Sequence, residues 1–322
     1  MATESCQVCG NQRGNRLYCA PEMMFGTRAE FSYLECGICG CLQLQNPPAS
    51  MAEWYPPRYY SFQGVAASRP VLTVLKRRLR RIKNRLYLQA GAVAKLMGRM
   101  KPFPALEAFA AVRPKQDFRV LDVGCGAGHL LKDLADVGFH HTLGIDPLLE
   151  KDLRYDNGLE VDRRTIESLE GSQWDVVMFH HSLEHIGDPL GTLNLVRNLL
   201  PPEGLCIVRI PIASWSWSHY GVNWVELEPP RHMFLHTERS FRLLATQAGF
   251  AVRRVAYDSD GFELWGSELY QRGISLSSLG PRGPRQVFSA AEMRSFRKAA
   301  TRLNRERCAG RAAFHLSKSK TQ

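Results

Sequence analysis

The chain has 322 residues, and its 42 Lys and Arg exceed its 31 Asp and Glu by 11. Hydrophobic residues make up 44% and charged residues 23%, a composition that is typical of globular proteins and excludes a disordered chain. The sequence has no apolar run of roughly 18 residues, so no membrane-spanning helix is predicted. Residues 1–10 lack the basic and apolar parts of a secretory signal, so we expect a cytoplasmic protein.

The first predicted element is a metal site near the N-terminus. Four cysteines form two Cys-x-x-Cys pairs, each followed by glycine: Cys6, Cys9, Cys36 and Cys39. Two such pairs, separated by a hairpin-length segment, supply four thiolates to one tetrahedral zinc, which predicts a structural zinc ribbon over residues 1–45. A pair of redox dithiols is the alternative interpretation. The roles of Cys19 and Cys41 stay open, because Cys41 could replace Cys39 as a ligand.

A connector and a basic helix follow the predicted ribbon. Residues 46–70 are rich in Pro and aromatic residues, which predicts an extended connector that docks on the main domain. Residues 69–101 contain 11 Lys and Arg and no acidic residue, so they hold the whole positive excess. Apolar residues recur there at helical spacing, which predicts an amphipathic helix over residues 71–103. Its role stays open between packing on the protein or on a second copy, peripheral membrane contact and nucleic-acid binding.

From Asp117 onward, short apolar runs alternate with helical segments. Strands are predicted at residues 118–123, 141–145, 174–179, 205–210, 250–257 and 310–317. Helices are predicted at residues 129–137, 183–200, 238–248 and 290–304, the third with Thr237 as its N-cap. This alternation predicts an α/β sheet with helices on both faces, in a domain that spans residues 104–322.

A glycine-rich loop joins the first strand of that domain to its first helix. Gly124, Gly126 and Gly128 let the backbone pass close to a ligand, whereas His129 stands where a dinucleotide-binding loop needs a glycine. Asp146 ends the second strand, where a carboxylate can accept both ribose hydroxyls of a nucleoside. Asp122, just before the loop, would repel a diphosphate and suits a cationic ligand.

These residues, together with the segment 174–185, resemble the motifs of class I S-adenosylmethionine-dependent methyltransferases. The resemblance implies a transferase with a Rossmann-like, doubly wound, mostly parallel seven-stranded sheet. It implies that the glycines flank the methionine part of S-adenosylmethionine, that Asp122 holds its amino group and that Asp146 binds its ribose. Pro147 or Leu148 would line the adenine. The cofactor-binding set carried over is Asp122, Gly124, Cys125, Gly126, Gly128, Asp146, Pro147, Thr165, Ile166, His180 and His181. Of these, Thr165 or Ile166 stands where many members place an acid near the adenine.

The ribbon, the connector and the methyltransferase motifs together resemble bacterial enzymes of saccharide and natural-product pathways. This resemblance implies a small-molecule acceptor, foremost a saccharide or its nucleotide- or lipid-linked form, and a place in polysaccharide biosynthesis. The segment 211–237 is rich in aromatic residues and histidines, which can stack on a sugar ring and take up a proton. The predicted substrate residues are Trp215, Trp217, Tyr220, Trp224, Arg231 and His232, with simple packing as the alternative for the tryptophans.

A hydroxyl acceptor needs a base, and histidine is the natural candidate. The candidate catalytic residues are His232, His181 and His185. Two other functions stay open. One is an RNA methyltransferase that uses the ribbon and the basic helix to hold nucleic acid, and the other is a binding protein that retains an inactive cofactor fold. The intact Asp122, glycines and Asp146 argue against the second.

Overall fold

A computed structural model of the protein describes residues 5–55, 70–90 and 103–319. Residues 56–69 of the predicted connector and residues 91–102 of the predicted basic helix lie outside the described residues. Within the described ranges, no helix combines the length and the apolar character needed to cross a bilayer.

Strands and helices are numbered in chain order. The strands are β1 (Arg16–Pro21), β2 (Glu30–Glu35), β3 (Leu42–Leu44), β4 (Val120–Val123), β5 (Thr142–Ile145), β6 (Leu153–Arg154), β7 (Glu160–Asp162), β8 (Val176–His180), β9 (Leu205–Pro211), β10 (Phe234–Leu235), β11 (Phe250–Tyr257) and β12 (Arg311–Lys318). The helices are α1 (Pro70–Ala90), α2 (Pro104–Ala110), α3 (His129–Ala135), α4 (Pro189–Leu199), α5 (Trp215–Tyr220), α6 (Glu238–Gln247), α7 (Phe262–Gln271) and α8 (Ala290–Glu306).

The larger sheet has eight strands in the order β11-β12-β9-β8-β4-β5-β7-β6. Strands β9, β8, β4, β5 and β7 pair in parallel, whereas β11, β12 and β6 are antiparallel to their neighbours. The strand order reverses at β4, which opens a crevice at the carboxyl ends of the central strands. The predicted doubly wound, mostly parallel α/β sheet is confirmed. The eighth strand, beyond the seven expected, is the two-residue β6.

Alternate residues of the central strands face opposite helical layers. Leu121 and Val123 pack in the cluster that includes residues of α4 and α6, whereas Val120 packs in the cluster that includes residues of α2 and α3. Successive side chains of a strand point to opposite faces, so a strand covered on both sides must be apolar throughout. This requirement explains the continuous apolar runs in the sequence.

A second sheet joins the N-terminal segment to the main domain. Strands β1, β2 and β3 form an antiparallel meander, and β10 from the main domain adds to β3 as a fourth strand. The amide of Leu44 also donates to the carbonyl of Met233 at 2.9 Å. The N-terminal segment is therefore built into the main domain, and the predicted division at residue 45 stays a prediction.

One predicted helix is wrong. Residues 183–200 do not form a continuous helix, because a 3-10 turn at Leu183–His185 is separated from α4, which begins at Pro189. Proline has no amide hydrogen for a helix interior, and it disfavours helical backbone in the residue before it. Asp188 instead caps α4, since its Oδ1 accepts the amide of Gly191 at 2.8 Å.

Candidate functional site

Three glycines turn the chain sharply after β4. Gly124, Gly126 and Gly128 have φ angles of 70°, 54° and 71°, in the left-handed region that favours glycine. A Cβ atom at Gly124 would lie 2.4 Å from the Cβ of Ser182, which is too close for any side chain. The loop therefore passes directly against the segment that follows β8.

Two acidic residues lie at the ends of neighbouring strands beside this loop. Asp146 follows β5, and its two carboxylate oxygens accept the amides of Gly126 and Leu148, each at 2.9 Å. Asp122 of β4 is 3% exposed, and its Oδ1 has no hydrogen-bond partner among the described residues. Burial, together with the neighbouring Asp146, raises the pKa of Asp122 to about 8. The site therefore places one acidic group without a described partner, Asp122, next to the glycine loop.

A cavity of about 480 Å³ opens at this edge of the sheet. Its volume lies within the range of cofactor and small-molecule sites. It is lined by Met51, Tyr55, Asp122, Val123, Gly124, Cys125, Gly126, His129, Leu130, Asp146, Pro147, Leu148, His180, His181, Ser182, His185 and Ile186. The structure thus brings together most of the residues that the sequence assigned to the cofactor.

Three of the predicted cofactor residues do not line this cavity. Gly128 precedes α3, and a Cβ there would lie 2.7 Å from Val161. Thr165 precedes a 3-10 turn that begins at Ile166, and Ile166 is buried in the core. The adenine contact assigned to Thr165 or Ile166 stays a prediction.

Two histidines at the end of β8 line the cavity in different ways. Both ring nitrogens of His180 are buried without a hydrogen-bond partner among the described residues, and burial lowers its pKa to about 3. The Nε2 of His181 lies against the guanidinium of Arg209. Since an arginine only donates, this Nε2 accepts and Nδ1 carries the hydrogen, 3.4 Å from Glu184. The acceptor nitrogen of His181 is therefore occupied by Arg209, which does not suit a base, and the catalytic role of His181 stays a prediction.

His185 is the histidine whose protonation suits a base. Its Nδ1 lies 2.8 Å from the carbonyl oxygen of Arg231 and 3.0 Å from the hydroxyl of Tyr55. A carbonyl only accepts, so Nδ1 carries the hydrogen and Nε2 is left as the acceptor of a neutral ring. Burial lowers the pKa of His185 below its ordinary value, which keeps the ring neutral near pH 7.

His232 lies behind His185, away from the cavity. It is 5% exposed, its ring centre lies 4.7 Å from that of His185, and its Nδ1 donates to the carbonyl of Glu226 at 2.7 Å. Burial lowers its pKa to about 3. A catalytic or substrate role for His232 stays a prediction, and any such role would act through His185.

The aromatic residues predicted to bind substrate do not line the cavity either. They pack around β1 and the helices of the C-terminal part: Trp215, Trp217, Tyr220 and Trp224. Trp224 is fully buried, and Trp217 donates to the carboxylate of Glu35 at 2.9 Å. Arg231 is also fully buried, and it is paired with Glu22 at 2.9 Å. The structure gives these side chains packing partners, and their substrate roles stay predictions.

Sequence reasoning missed two groups that lie on the cavity wall. Met51 and Tyr55 belong to the predicted connector, and Ile186 follows the turn that carries His185. The dense Pro and aromatic content of the connector was the available signal, since it predicted docking on the main domain. It could not show which aromatic side chain reaches the cavity.

The four predicted metal ligands converge near the N-terminus. The sulfurs of Cys6 and Cys39 lie 3.5 Å apart, as do those of Cys9 and Cys36, and all four lie within 4.8 Å of one another. A zinc ion bound at about 2.3 Å by four thiolates places them about 3.8 Å apart. In both pairs the following glycine closes the turn, with its amide donating to the carbonyl of the first cysteine at 2.8 and 2.9 Å. The cluster therefore fits a closed, structural zinc site.

The remaining N-terminal cysteines lie outside this cluster. Cys19 is exposed on β1. Cys41 is fully buried, and its sulfur lies 3.7 Å from Nδ1 of His236. The geometry favours Cys39 over Cys41 as the fourth ligand.

A comparison with known protein families gives one match. The sequence profile of a family described as "Methyltransferase domain" matches residues 76–255, more than half of the chain. The chain belongs to this family. The predicted methyltransferase is thereby confirmed at the level of the family.

Curated relatives of this methyltransferase match a smaller share of the chain. A ubiquinone biosynthesis O-methyltransferase of Cereibacter sphaeroides is 35% identical over an alignment of 129 residues, and the match covers 36% of this chain and 51% of the relative. The protein of the same name from Methylocella silvestris is 39% identical over an alignment of 133 residues, and the match covers 38% of this chain and 52% of the relative. The chain thus spans about half the length of the curated relatives it matches.

A solved structure is similar over a larger share of the chain. It is a methyltransferase from Haloferax volcanii in complex with the Trm112 methyltransferase activator, with 16% sequence identity and a TM-score of 0.48. The match covers 74% of this chain and 98% of that one.

The cavity of this methyltransferase fits S-adenosylmethionine by two independent observations. No described residue gives the buried Oδ1 of Asp122 a partner, and a cationic amino or sulfonium group would supply one. Gly124 and Gly126, which present only backbone, line the same cavity as Asp146, so a ligand can approach the loop closely beside this carboxylate. Asp122, Asp146 and the loop are therefore the residues that would hold the cofactor.

Replacing Asp146 by alanine should weaken cofactor binding. The variant loses the carboxylate that holds the amides of Gly126 and Leu148 and that would bind the ribose. Hydrogen bonds to a charged group are worth roughly 1.5–3 kcal/mol, so we expect the affinity for S-adenosylhomocysteine to fall by about tenfold to a hundredfold. Calorimetric titration measures this change. Asp156→Ala, which removes an exposed acid ten residues further along the chain, is the control and should keep the wild-type affinity. Equal affinities for S-adenosylhomocysteine in the two variants would contradict the assignment of Asp146.

Replacing Cys9 by serine should remove the zinc and loosen the N-terminal sheet. Elemental analysis of the wild type should give about one zinc per chain, and the variant should give much less, because three thiolates hold zinc more weakly. Its melting temperature should fall. Cys19→Ser makes the same chemical change at an exposed cysteine outside the cluster and should leave both values unchanged. Full zinc content and full stability in Cys9→Ser would refute the ligand set.

Proposed function

We propose that the protein transfers a methyl group from S-adenosylmethionine to a hydroxyl group of a small aromatic acceptor. One observation carries the proposal: Asp122 is buried at the wall of a cavity beside Asp146 and the glycine loop, and its Oδ1 has no partner in the part of the chain that the structure describes. When bound, S-adenosylmethionine supplies an electrophilic methyl group on a positively charged sulfonium. Family membership supports methyl transfer, and the geometry supports the cofactor assignment.

The residues of the cavity would align the acceptor and hold its proton. Asp122 offers a negative charge to the cofactor's amino group, and Asp146 offers carboxylate oxygens to its ribose. His185 lines the same cavity with Nε2 left as an acceptor, so it can take the proton of an acceptor hydroxyl. Alignment of the hydroxyl oxygen with the methyl group then supplies most of the rate enhancement.

An aromatic acceptor suits the cavity better than a saccharide does. The wall beyond the two acids is largely apolar, with Met51, Leu130 and Ile186, and Tyr55 adds one aromatic ring. A saccharide needs many hydrogen-bonding groups, whereas a phenol buries a flat apolar face. The curated relatives do not support the predicted saccharide acceptor, and the O-methyltransferase in their name supports a hydroxyl acceptor.

A labelled-methyl assay tests this function. The wild type should transfer label from S-adenosylmethionine to simple catechols in preference to nucleotide sugars. His185→Gln should lower kcat by about 10²–10⁴-fold, the usual contribution of a general base, with little change in cofactor affinity. His140→Gln makes the same change at an exposed histidine that does not line the cavity and should retain activity. Transfer to nucleotide sugars alone, or to RNA alone, would contradict the proposed acceptor class.

We propose that the exposed side of α1 contacts an anionic lipid surface. On its inner side, Arg80 pairs with Asp133 at 2.5 Å, and Tyr87 is buried. On its outer side, Leu79, Ile82 and Leu86 are 59%, 49% and 51% exposed. This stripe lies between Arg78 and Arg85 on one side and Lys83 on the other, counting about 100° per residue. An apolar stripe flanked by basic residues is typical of helices that lie in a membrane interface.

Vesicle binding tests this surface. The full chain should sediment with vesicles that contain phosphatidylglycerol, and a variant with Leu79, Ile82 and Leu86 changed to serine should not. Binding should weaken as salt is raised, because anionic lipids attract the basic residues. Leu17→Ser, at an exposed leucine of β1, is the control. Equal sedimentation of the triple variant, or binding to tRNA with none to vesicles, would contradict the proposal.

A further inference from the structure

Arg231 is a buried charge that the proposed reaction does not use. Its side chain is fully buried, and its guanidinium bonds to three segments of the chain. Nη2 donates to Glu22 at 2.9 Å, Nε donates to Glu228 at 2.9 Å and Nη1 donates to the carbonyl of Trp54 at 3.2 Å. Removing one partner from such a buried network is costly, so the network holds these segments in one arrangement.

Glu22 brings the N-terminal sheet into this network. It follows β1 and is fully buried, and its carboxylate also accepts the amides of Phe25 and Thr27 at 2.9 and 3.1 Å. The ring of Phe25 packs on the guanidinium of Arg231, whose Cζ atom lies 4.9 Å from the centre of the ring. The tip of the hairpin between β1 and β2 is thus folded around Arg231.

The main chain of the same segment reaches the cavity. The carbonyl of Arg231 accepts the Nδ1 hydrogen of His185, and the amide of Met233 donates to the carbonyl of Glu184 at 2.7 Å. On the ribbon side, the hydroxyl of Tyr33 in β2 donates to the carbonyl of His232 at 2.7 Å. Residues 231–233 therefore lie between the N-terminal sheet and the turn that carries His185.

Trp54 provides a second route from Arg231 to the cavity. Its carbonyl accepts from the guanidinium, and the next residue is Tyr55, whose hydroxyl lies 3.0 Å from Nδ1 of His185. Tyr55 and His185 both line the cavity. The buried guanidinium of Arg231 therefore holds in place both groups that contact Nδ1 of His185, which are the carbonyl of Arg231 itself and the hydroxyl of Tyr55.

We propose that Arg231 is a positioning residue that, held by Glu22 of the N-terminal sheet, sets the tautomer and the place of His185 in the cavity. The role of His185 as a base rests on the proposed function, whereas its tautomer does not. The N-terminal sheet then forms part of the catalytic wall. A ribbon that served only to bind a partner would need no buried link to a cavity histidine.

Nitrogen-15 NMR of the histidine rings in the full chain tests this proposal without an activity assay. The His185 signal is assigned by its loss in His185→Gln. In the wild type, His185 should be neutral with hydrogen on Nδ1, because a carbonyl faces that atom. A ring with hydrogen on Nε2 alone, or a charged ring near pH 7, would overturn the proposal even if every variant failed to fold.

Two variants separate positioning from mere stability. Glu22→Gln removes the charge that holds Arg231, and Arg231→Lys keeps the charge but loses the three-way guanidinium contacts. In both variants, the ratio of His185 rings with hydrogen on Nδ1 to rings with hydrogen on Nε2 should fall by about fivefold or more, which corresponds to the energy of one hydrogen bond. The affinity for S-adenosylhomocysteine should stay within about twofold of the wild-type value. Glu53→Gln makes the same change as Glu22→Gln at an exposed site before Trp54 and should leave the spectrum unchanged. Folded variants with lower melting temperatures and an unaltered His185 signal would show that Arg231 is only structural.

Discussion

The site depends on two carboxyl groups that the sheet holds side by side in a buried place. Parallel pairing of β4 with β5 puts Asp122 and Asp146 at the same edge, where they are only 3% and 6% exposed. Asp146 is satisfied by two backbone amides, whereas the Oδ1 of Asp122 is not satisfied by any described residue. A buried acid without a partner is unfavourable unless it is protonated or meets a cation. The position of Asp122 in the fold therefore favours the binding of a positively charged ligand.

The rest of the molecule shapes what can react beside that ligand. The segment 228–236 pairs with the N-terminal sheet through β10 and passes behind the turn that carries His185. The N-terminal sheet therefore supports the cavity from behind, and the zinc cluster supports that sheet. A zinc ion held by Cys6, Cys9, Cys36 and Cys39 would join the segments before β1 and after β2, and four thiolates would leave it no open position for chemistry.

Local patterns made the sheet and the cofactor loop predictable. The apolar strands alternate between two helical layers, and the capping Thr237 accepts the amide of Ser240 at 3.0 Å, as the sequence indicated. The Cys-x-x-Cys pairs converge because each pair needs only its own turn and one hairpin between them. The strands, the helix cap and the cysteine turns depend on residues that are close in the sequence, so they can be predicted from local sequence patterns.

Long-range contacts were the part that could not be predicted. The aromatic residues after β9 have the composition of a binding surface, but Trp217 reaches Glu35, far away in the chain, and becomes part of the core. Arg231 is predicted from the sequence to bind substrate, whereas in the structure its buried guanidinium pairs with Glu22, 209 residues away in the chain. In the same way, Tyr55 enters the cavity from a segment whose sequence shows only that it is extended. Each of these side chains is placed by packing against a segment that is distant in the sequence. Periodic patterns describe only one segment at a time, so they do not predict such contacts.

The central claim is that Asp122 provides a negative charge for a cationic cofactor, and the pH dependence of cofactor binding tests it most directly. The free carboxyl has a pKa of about 8, so near pH 7 it must release its proton when a cation binds. Calorimetric titration with S-adenosylmethionine should therefore show an affinity that rises between about pH 6 and about pH 8, by at most about tenfold per pH unit. The same titration of Asp122→Asn should give weaker binding at the upper end and no such rise. An identical pH profile and affinity in both proteins would contradict the account.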